Sequence, residues 1–186
     1  VVERARRVDP DTHDRAARRR WLLAVADLMV EERAATLGLM AHHVAKTVHE
    51  GDPEVSEAID FCRYYATTGS SRLDAAEAAG CSVDGRGVIV VVGPWNFPYA
   101  IPSGGVAAAI AAGNSVVLKP APEATVVGAW IADQFWRAGV PRDGVDQDDA
   151  GRQEVSGGRG RVGDQVDVAQ QARRVAHQRD AAEAGR

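Results

Sequence analysis

GVIVVVGPWNFPYAIPSGGVAAAIAAGNSVVLKPAPEAT, residues Gly87 to Thr125, decides the fold, because apolar runs, turn chemistry and a candidate reactive group coincide there. Val88 to Val92 is short, β-branched and bounded by Gly87 and Gly93, which predicts a central parallel strand buried on both faces. In Pro94-Trp95-Asn96-Phe97-Pro98 two prolines flank three bulky residues and forbid both helix and ladder, leaving a stiff loop. Small residues from Ser103 to Ala112 predict a closely packed helix, with Ser103 as its cap and Gly113-Asn114 as its end. Ser115 to Lys119 reads as a second strand. Thr125 is placed to cap a helix through Ala138, with Val127, Trp130, Ile131 and Phe135 at helical spacing before Gly139 and Pro141 stop it.

Strand, helix, strand, helix with short connections is a parallel unit. Its two strands run the same way, so the loop holding Asn96 and the loop beginning at Lys119 leave one carboxyl edge, where open α/β sheets bind ligands. The two residues are expected to line one crevice. A carboxamide is a neutral donor that does not titrate, and a rigid loop aims it without reorganisation, which suits Asn96 to stabilising an oxyanion. The plainer reading is that Asn96 braces a turn and Lys119 is a solvated strand end.

PWNFP followed by AGNSVVLKPAPEAT resembles the first half of the cofactor domain of the aldehyde dehydrogenase superfamily. The resemblance implies NAD(P)-dependent oxidation of an aldehyde to an acid. It assigns Asn96 the role of donating amide hydrogens to the oxyanion formed when a cysteine thiolate attacks. It places Lys119 at the adenosine ribose hydroxyls, and the backbone of Gly93, Pro94 and Trp95 as a wall beside the cofactor. Many relatives carry an acidic residue three positions after this lysine. Here that position is Pro122, with Glu123 next, so NAD is expected and NADP stays open. EVSEAIDFCRYYA, Glu54 to Ala66, is similar to the corresponding helix of enzymes oxidising L-glutamate γ-semialdehyde in proline catabolism, including bifunctional proline utilisation proteins.

The chain has 186 residues, 45% hydrophobic composition and a net charge of -4, which suits a globular domain and gives no reason to expect nucleic acid. No apolar run reaches membrane length, and Cys62 and Cys81 show neither metal spacing nor a disulfide framework, which fits a reducing cytoplasm. The first residue is Val, so the start is open to having been trimmed or misassigned. The arginines Arg4, Arg6, Arg7, Arg15 and Arg18 to Arg20 alternate with Glu3, Asp9, Asp11 and Asp14, as on a solvated helix face. Trp21, Leu22, Val25, Leu28 and Met29 keep helical spacing. A second helix is expected from about Glu31 to Glu50, with Leu37, Met40, Val44 and Val48 on one face. His42, His43 and His49 lack companion ligands and read as surface histidines. Gly51-Asp52-Pro53 predicts a break, after which Val55, Ile59, Cys62 and Tyr65 face inward on a third helix.

Neither cysteine occupies the nucleophile position that the resemblance implies, and no general-base glutamate of an ELGGK-like motif is present. After Trp136 the sequence holds no Leu, Ile, Met, Phe, Tyr or Trp. No buried strand is expected beyond Asp143, and the tail has the composition of a disordered segment or of a shifted reading frame. Gly158-Arg-Gly160-Arg-Val-Gly163 satisfies GxGxxG but follows no strand, so it reads as chance.

The predicted architecture is α/β: N-terminal helices (1–86), then the first βαβα cofactor-binding unit of a Rossmann-like parallel sheet (87–141), incomplete, then the tail (142–186). The function expected is that of part of an aldehyde dehydrogenase with a small-molecule aldehyde substrate, no nucleic-acid or membrane partner, and a homo-oligomeric intact enzyme. The alternative is a non-catalytic fragment limited to binding cofactor or pairing with a subunit.

Overall fold

A computed structural model describes residues 14–142 and 145–147. The arginines before Asp14, the tail beyond Gln147 and the Gly158–Gly163 motif lie outside the described residues.

Asp14 caps the first helix, α1 (Arg15–Glu31), by accepting from the Ala17 amide at 2.5 Å, and its apolar stripe buries Leu22, Val25, Ala26 and Met29. Arg15 pairs with Asp74 and Glu77, so at this position the basic face is compensated by acids from a later helix. Helix α2 (Arg33–Val44) ends six residues earlier than expected, at Ala45, whose φ of 55° is left-handed. Val48 therefore does not share its face; it opens α3 (Val48–Tyr64) and is exposed.

Gly51-Asp52-Pro53 does not break the chain, contrary to expectation. Thr47 and Glu50 form a reciprocal capping box that starts α3 upstream of it, and Pro53 lies inside the helix. The carbonyl that Pro53 leaves without a partner belongs to His49, on an exposed turn open to water. Gly51 serves packing: a Cβ there would fall 3.0 Å from Leu37 and 3.1 Å from Met40, so the glycine lets α3 lie close against α2. Val55, Ile59 and Cys62 face inward as predicted, with Tyr65 half-buried. A π-helical turn, Tyr65–Gly69, joins α3 to α4 (Ser70–Ala78).

The parallel unit follows. Strand β1 (Val88–Val92) leads to α5 (Ala100–Ala111), then β2 (Ser115–Lys119), a 3-10 turn (Pro122–Ala124), α6 (Thr125–Arg137) and β3 (Val145–Gln147). The sheet order is β1-β2-β3, all parallel, with Val88 opposite Ser115 and Val92 opposite Lys119. Gly113 (φ 84°) and Gly139 (φ 101°) end the two helices in the left-handed conformation that glycine adopts without strain.

Four expectations are corrected here. Among the described residues β2, not β1, is the central strand: Val90 is 54% and Val92 63% exposed, because only the Ile89 and Val91 side of β1 packs against the core. Ser103 does not cap α5, which begins three residues earlier; its hydroxyl is fully buried inside the helix. Thr125 is the first residue of α6 rather than its cap, and its hydroxyl donates to the Pro122 carbonyl at 2.9 Å, closing the 3-10 turn. A buried strand does form beyond Asp143. Val145 is fully buried opposite Val116, and the Trp136 indole donates to its carbonyl at 2.9 Å, so the ladder to β2, one buried valine and one side-chain bond dock it.

One core joins these elements: Leu22, Val25 and Met29 of α1, Val55 and Cys62 of α3, Val106 of α5, Val116 and Leu118 of β2, and Ile131 and Phe135 of α6. Helix α3 packs against α1, α2 and α5. That places α3 directly beside the helix that follows the Asn96 loop.

Candidate functional site

The loop from Gly93 to Pro98 leaves the carboxyl end of β1, and the Gly93 amide donates to the Lys119 carbonyl at 3.0 Å, extending the ladder past the last strand pair. The sheet edge thus brings the PWNFP loop and the start of the Lys119 loop together, as the parallel topology requires. Gly93 runs close over α5, where a Cβ would fall 3.2 Å from Pro102. Trp95, Asn96 and Phe97 are exposed at this edge, as are Lys119 and Glu123, the latter in the 3-10 turn.

Beneath the loop lie two residues that the sequence reading did not select. Glu54 of α3 is fully buried in its side chain, and its Oε1 accepts from the amides of Tyr99 (2.7 Å) and Ala100 (3.1 Å). This carboxylate is the true cap of α5, supplied from a different helix, and its charge meets the positive end of the helix dipole. Its Oε2 pairs with Lys46, whose Nζ also donates to the Asn96 carbonyl at 2.9 Å and stands 4.4 Å from the centre of the Phe97 ring. Below α5, the fully buried Tyr99 hydroxyl donates to Gln134 at 2.7 Å, and Gln134 donates to Glu32 at 3.1 Å. A sequence signal for this arrangement existed: Thr47-x-x-Glu50 marks the start of α3, which sets Lys46 just before the cap and Glu54 two turns inside it.

The capping of α5 bears on cofactor geometry. In a dinucleotide fold of the glycine-rich type, the amides at the start of the helix after β1 would hold pyrophosphate. Here Glu54 already takes the amides of Tyr99 and Ala100, and a second anion there would meet its negative charge. Lys119 and Glu123 lie outside this capped helix start, both exposed.

The two cysteines stand apart from this edge. Cys62 is buried in the core and burial pushes its thiol up to about 12, so it is a small hydrophobe rather than a nucleophile. Cys81 is exposed in the segment that enters β1 at its amino end, whereas Asn96 leaves the carboxyl end. Among the described residues no three His, Cys, Asp or Glu side chains gather as a metal site, and no helix is long and apolar enough to cross a membrane. His42 and His43 stack edge to face at 4.8 Å, and burial followed by the neighbouring His42 lowers the His43 pKa. A separate open groove of about 560 Å³ runs along α3 past Glu57, Asp60, Phe61 and Tyr64.

The family model described as "Aldehyde dehydrogenase family" matches residues 1–147. The chain belongs to the aldehyde dehydrogenase family. It is 39% identical over 142 residues to the bifunctional protein PutA of Escherichia coli strain K12, an alignment covering 76% of this chain and 10% of that protein. Among solved structures, proline utilization A from Corynebacterium freiburgense superposes with a TM-score of 0.67 at 39% identity, over 80% of this chain and 15% of the other. The 1-pyrroline-5-carboxylate dehydrogenase from Thermus with bound NAD superposes with a TM-score of 0.63 at 33% identity, over 73% of this chain and 28% of the other. The chain therefore spans about a tenth of the PutA of Escherichia coli and just over a quarter of the Thermus 1-pyrroline-5-carboxylate dehydrogenase. These likenesses agree with an α/β fold of helices followed by a parallel sheet.

Proposed function

We propose that this aldehyde dehydrogenase chain supplies the oxyanion donor and a cofactor contact for NAD-dependent oxidation of L-glutamate γ-semialdehyde to glutamate. The observation that supports the reading best is the Gly93–Lys119 backbone bond, which sets the Asn96 loop and Lys119 side by side at one carboxyl edge. When a thiolate adds to an aldehyde, the carbonyl oxygen gains a full negative charge. The Asn96 amide hydrogens, held on a loop with proline at both ends, meet that charge without reorganising. NAD, when bound, supplies the hydride acceptor. Lys119 and Glu123 hold ribose hydroxyls, and the backbone of Gly93, Pro94 and Trp95 forms the wall beside it. The choice of semialdehyde, and of NAD over NADP, rests on similarity to PutA and to 1-pyrroline-5-carboxylate dehydrogenases, one of them carrying NAD.

A second reading concerns the chain by itself, and the Cys62 thiol favours it. With Cys62 buried and protonated and Cys81 at the other end of β1, neither cysteine of these 186 residues serves as nucleophile. The isolated chain then binds cofactor, or pairs with another subunit, without turnover. Titration of the full chain with NAD and with NADP, followed by assay with L-glutamate γ-semialdehyde, tests both readings. NAD binding that weakens about tenfold in Lys119→Ala, with no turnover, is the expected result. Turnover that falls about a hundredfold or more in Asn96→Ala overturns the non-catalytic reading and retains the oxyanion role. NAD binding indifferent to Lys119→Ala overturns the cofactor assignment.

A further inference from the structure

We infer that Lys46, locked by Glu54, is a positioning residue that sets the direction of the Asn96 side chain; its catalytic meaning rests on Asn96 being the oxyanion donor. The prolines at 94 and 98 fix their own φ and Pro98 restricts Phe97 before it, which leaves Trp95 and Asn96 as the positions whose φ and ψ the prolines do not set. Lys46 removes that freedom at the point that matters. By holding the Asn96 carbonyl at 2.9 Å it fixes the peptide plane that follows Asn96, and its place 4.4 Å from the Phe97 ring fixes the next side chain.

The chemistry favours an ammonium over any other cation. Lys46 faces three partners in different directions: a carboxylate, a carbonyl and an aromatic face. A compact group with three rotatable donors meets all three, while a planar guanidinium presents its donors in one plane. Composition points the same way. Of 22 Lys and Arg residues, only two, Lys46 and Lys119, are lysine, and both stand at this sheet edge.

Glu54 makes the device rigid. One of its oxygens is bound to the Tyr99 and Ala100 amides and the other to Lys46, so the Asn96 loop is tied to the N-terminus of α5 through two side chains. Lys46 and Glu54 reach no reacting atom themselves; they act through Asn96.

The chain has only two asparagines, Asn96 and Asn114, so selective ¹⁵N labelling of asparagine reads the loop directly and carries its own control. Asn114 is held independently, accepting from the Arg86 amide at 2.5 Å. The full chain, Lys46→Arg, and the neutral pair Lys46→Met with Glu54→Gln, which keeps an acceptor for α5, are compared by ¹⁵N relaxation. In the unmodified chain the Asn96 side-chain Nδ2 order parameter is expected to match that of Asn114, whose Nδ2 donates to the Ala109 carbonyl at 3.2 Å, and in both variants to fall below about 0.6 with Asn114 unchanged. An Asn96 Nδ2 value that stays with that of Asn114 in either folded variant, or that falls together with it, overturns the proposal. The relaxation measurement needs neither NAD nor turnover, so failure of the cofactor test leaves this result intact and the two are separable.

Discussion

Glu54 accepts the Tyr99 amide across 45 residues of sequence, at 2.7 Å, and by doing so caps a helix to which it does not belong. The helix that follows the Asn96 loop is thus anchored by a buried carboxylate on α3, whose other oxygen neutralises Lys46. Replacing Glu54 by Ala removes two charge-assisted bonds to the α5 amides and takes the carboxylate from a part-buried ammonium, a loss of about 3–5 kcal/mol. Glu54→Gln retains an acceptor for both amides and is expected to lose less. Urea unfolding midpoints of the two variants check the order.

The contact between α3 and α5 leaves no room at Gly104, where a Cβ would fall 2.7 Å from the Phe61 ring. Gly104→Ala is expected to destabilise by about 1–3 kcal/mol through overpacking, despite the better helix propensity of alanine. At Gly38 nothing lies within 4 Å, so Gly38→Ala is expected to be neutral or stabilising, by up to about 1 kcal/mol. Thermal melts of the pair separate packing from propensity.

The thiols are expected to differ in reactivity. Cys81 is exposed and reacts with a disulfide reagent at neutral pH in the folded chain, whereas Cys62, buried with its thiol pushed up to about 12, reacts only after unfolding. Burial disfavours the Cys62 thiolate, so raising the pH to 9 leaves Cys62 protected in the folded chain. Counting reactive thiols before and after denaturant measures this; two fast thiols in the native chain would contradict the packing of α3.

Much of this architecture is legible along the chain because local chemistry fixes it. Gly113 and Gly139 take left-handed φ where helices end, and Val127, Trp130, Ile131 and Phe135 share one buried face, as their spacing predicts. What escaped was non-local or masked by a stronger-looking signal. Gly51-Asp52-Pro53 looks like a break, yet the Thr47–Glu50 capping box just upstream overrides it. Ser103 has the right side chain for a cap, but Glu54 from another helix already occupies that role. The apolar run Val88–Val92 resembles a doubly buried strand, and nothing local reveals that only one of its faces is covered by described residues. At the candidate site Asn96 and Lys119 stood out through their motifs. Lys46 and Glu54 did not, because their significance lies in what they touch.

The π-helical turn at Tyr65–Gly69 has a consequence for phase. Each residue advances an α-helix by about 100°, and a π turn takes up one residue more than an α turn would, so α4 leaves it rotated relative to an unbroken continuation of α3. That rotation presents Asp74 and Glu77 to Arg15, while the α3 face carrying Ile59 and Cys62 stays turned to the core. The turn acts as a half-step in a screw thread: removing one residue there would keep both helices and swing the acids away from their cation.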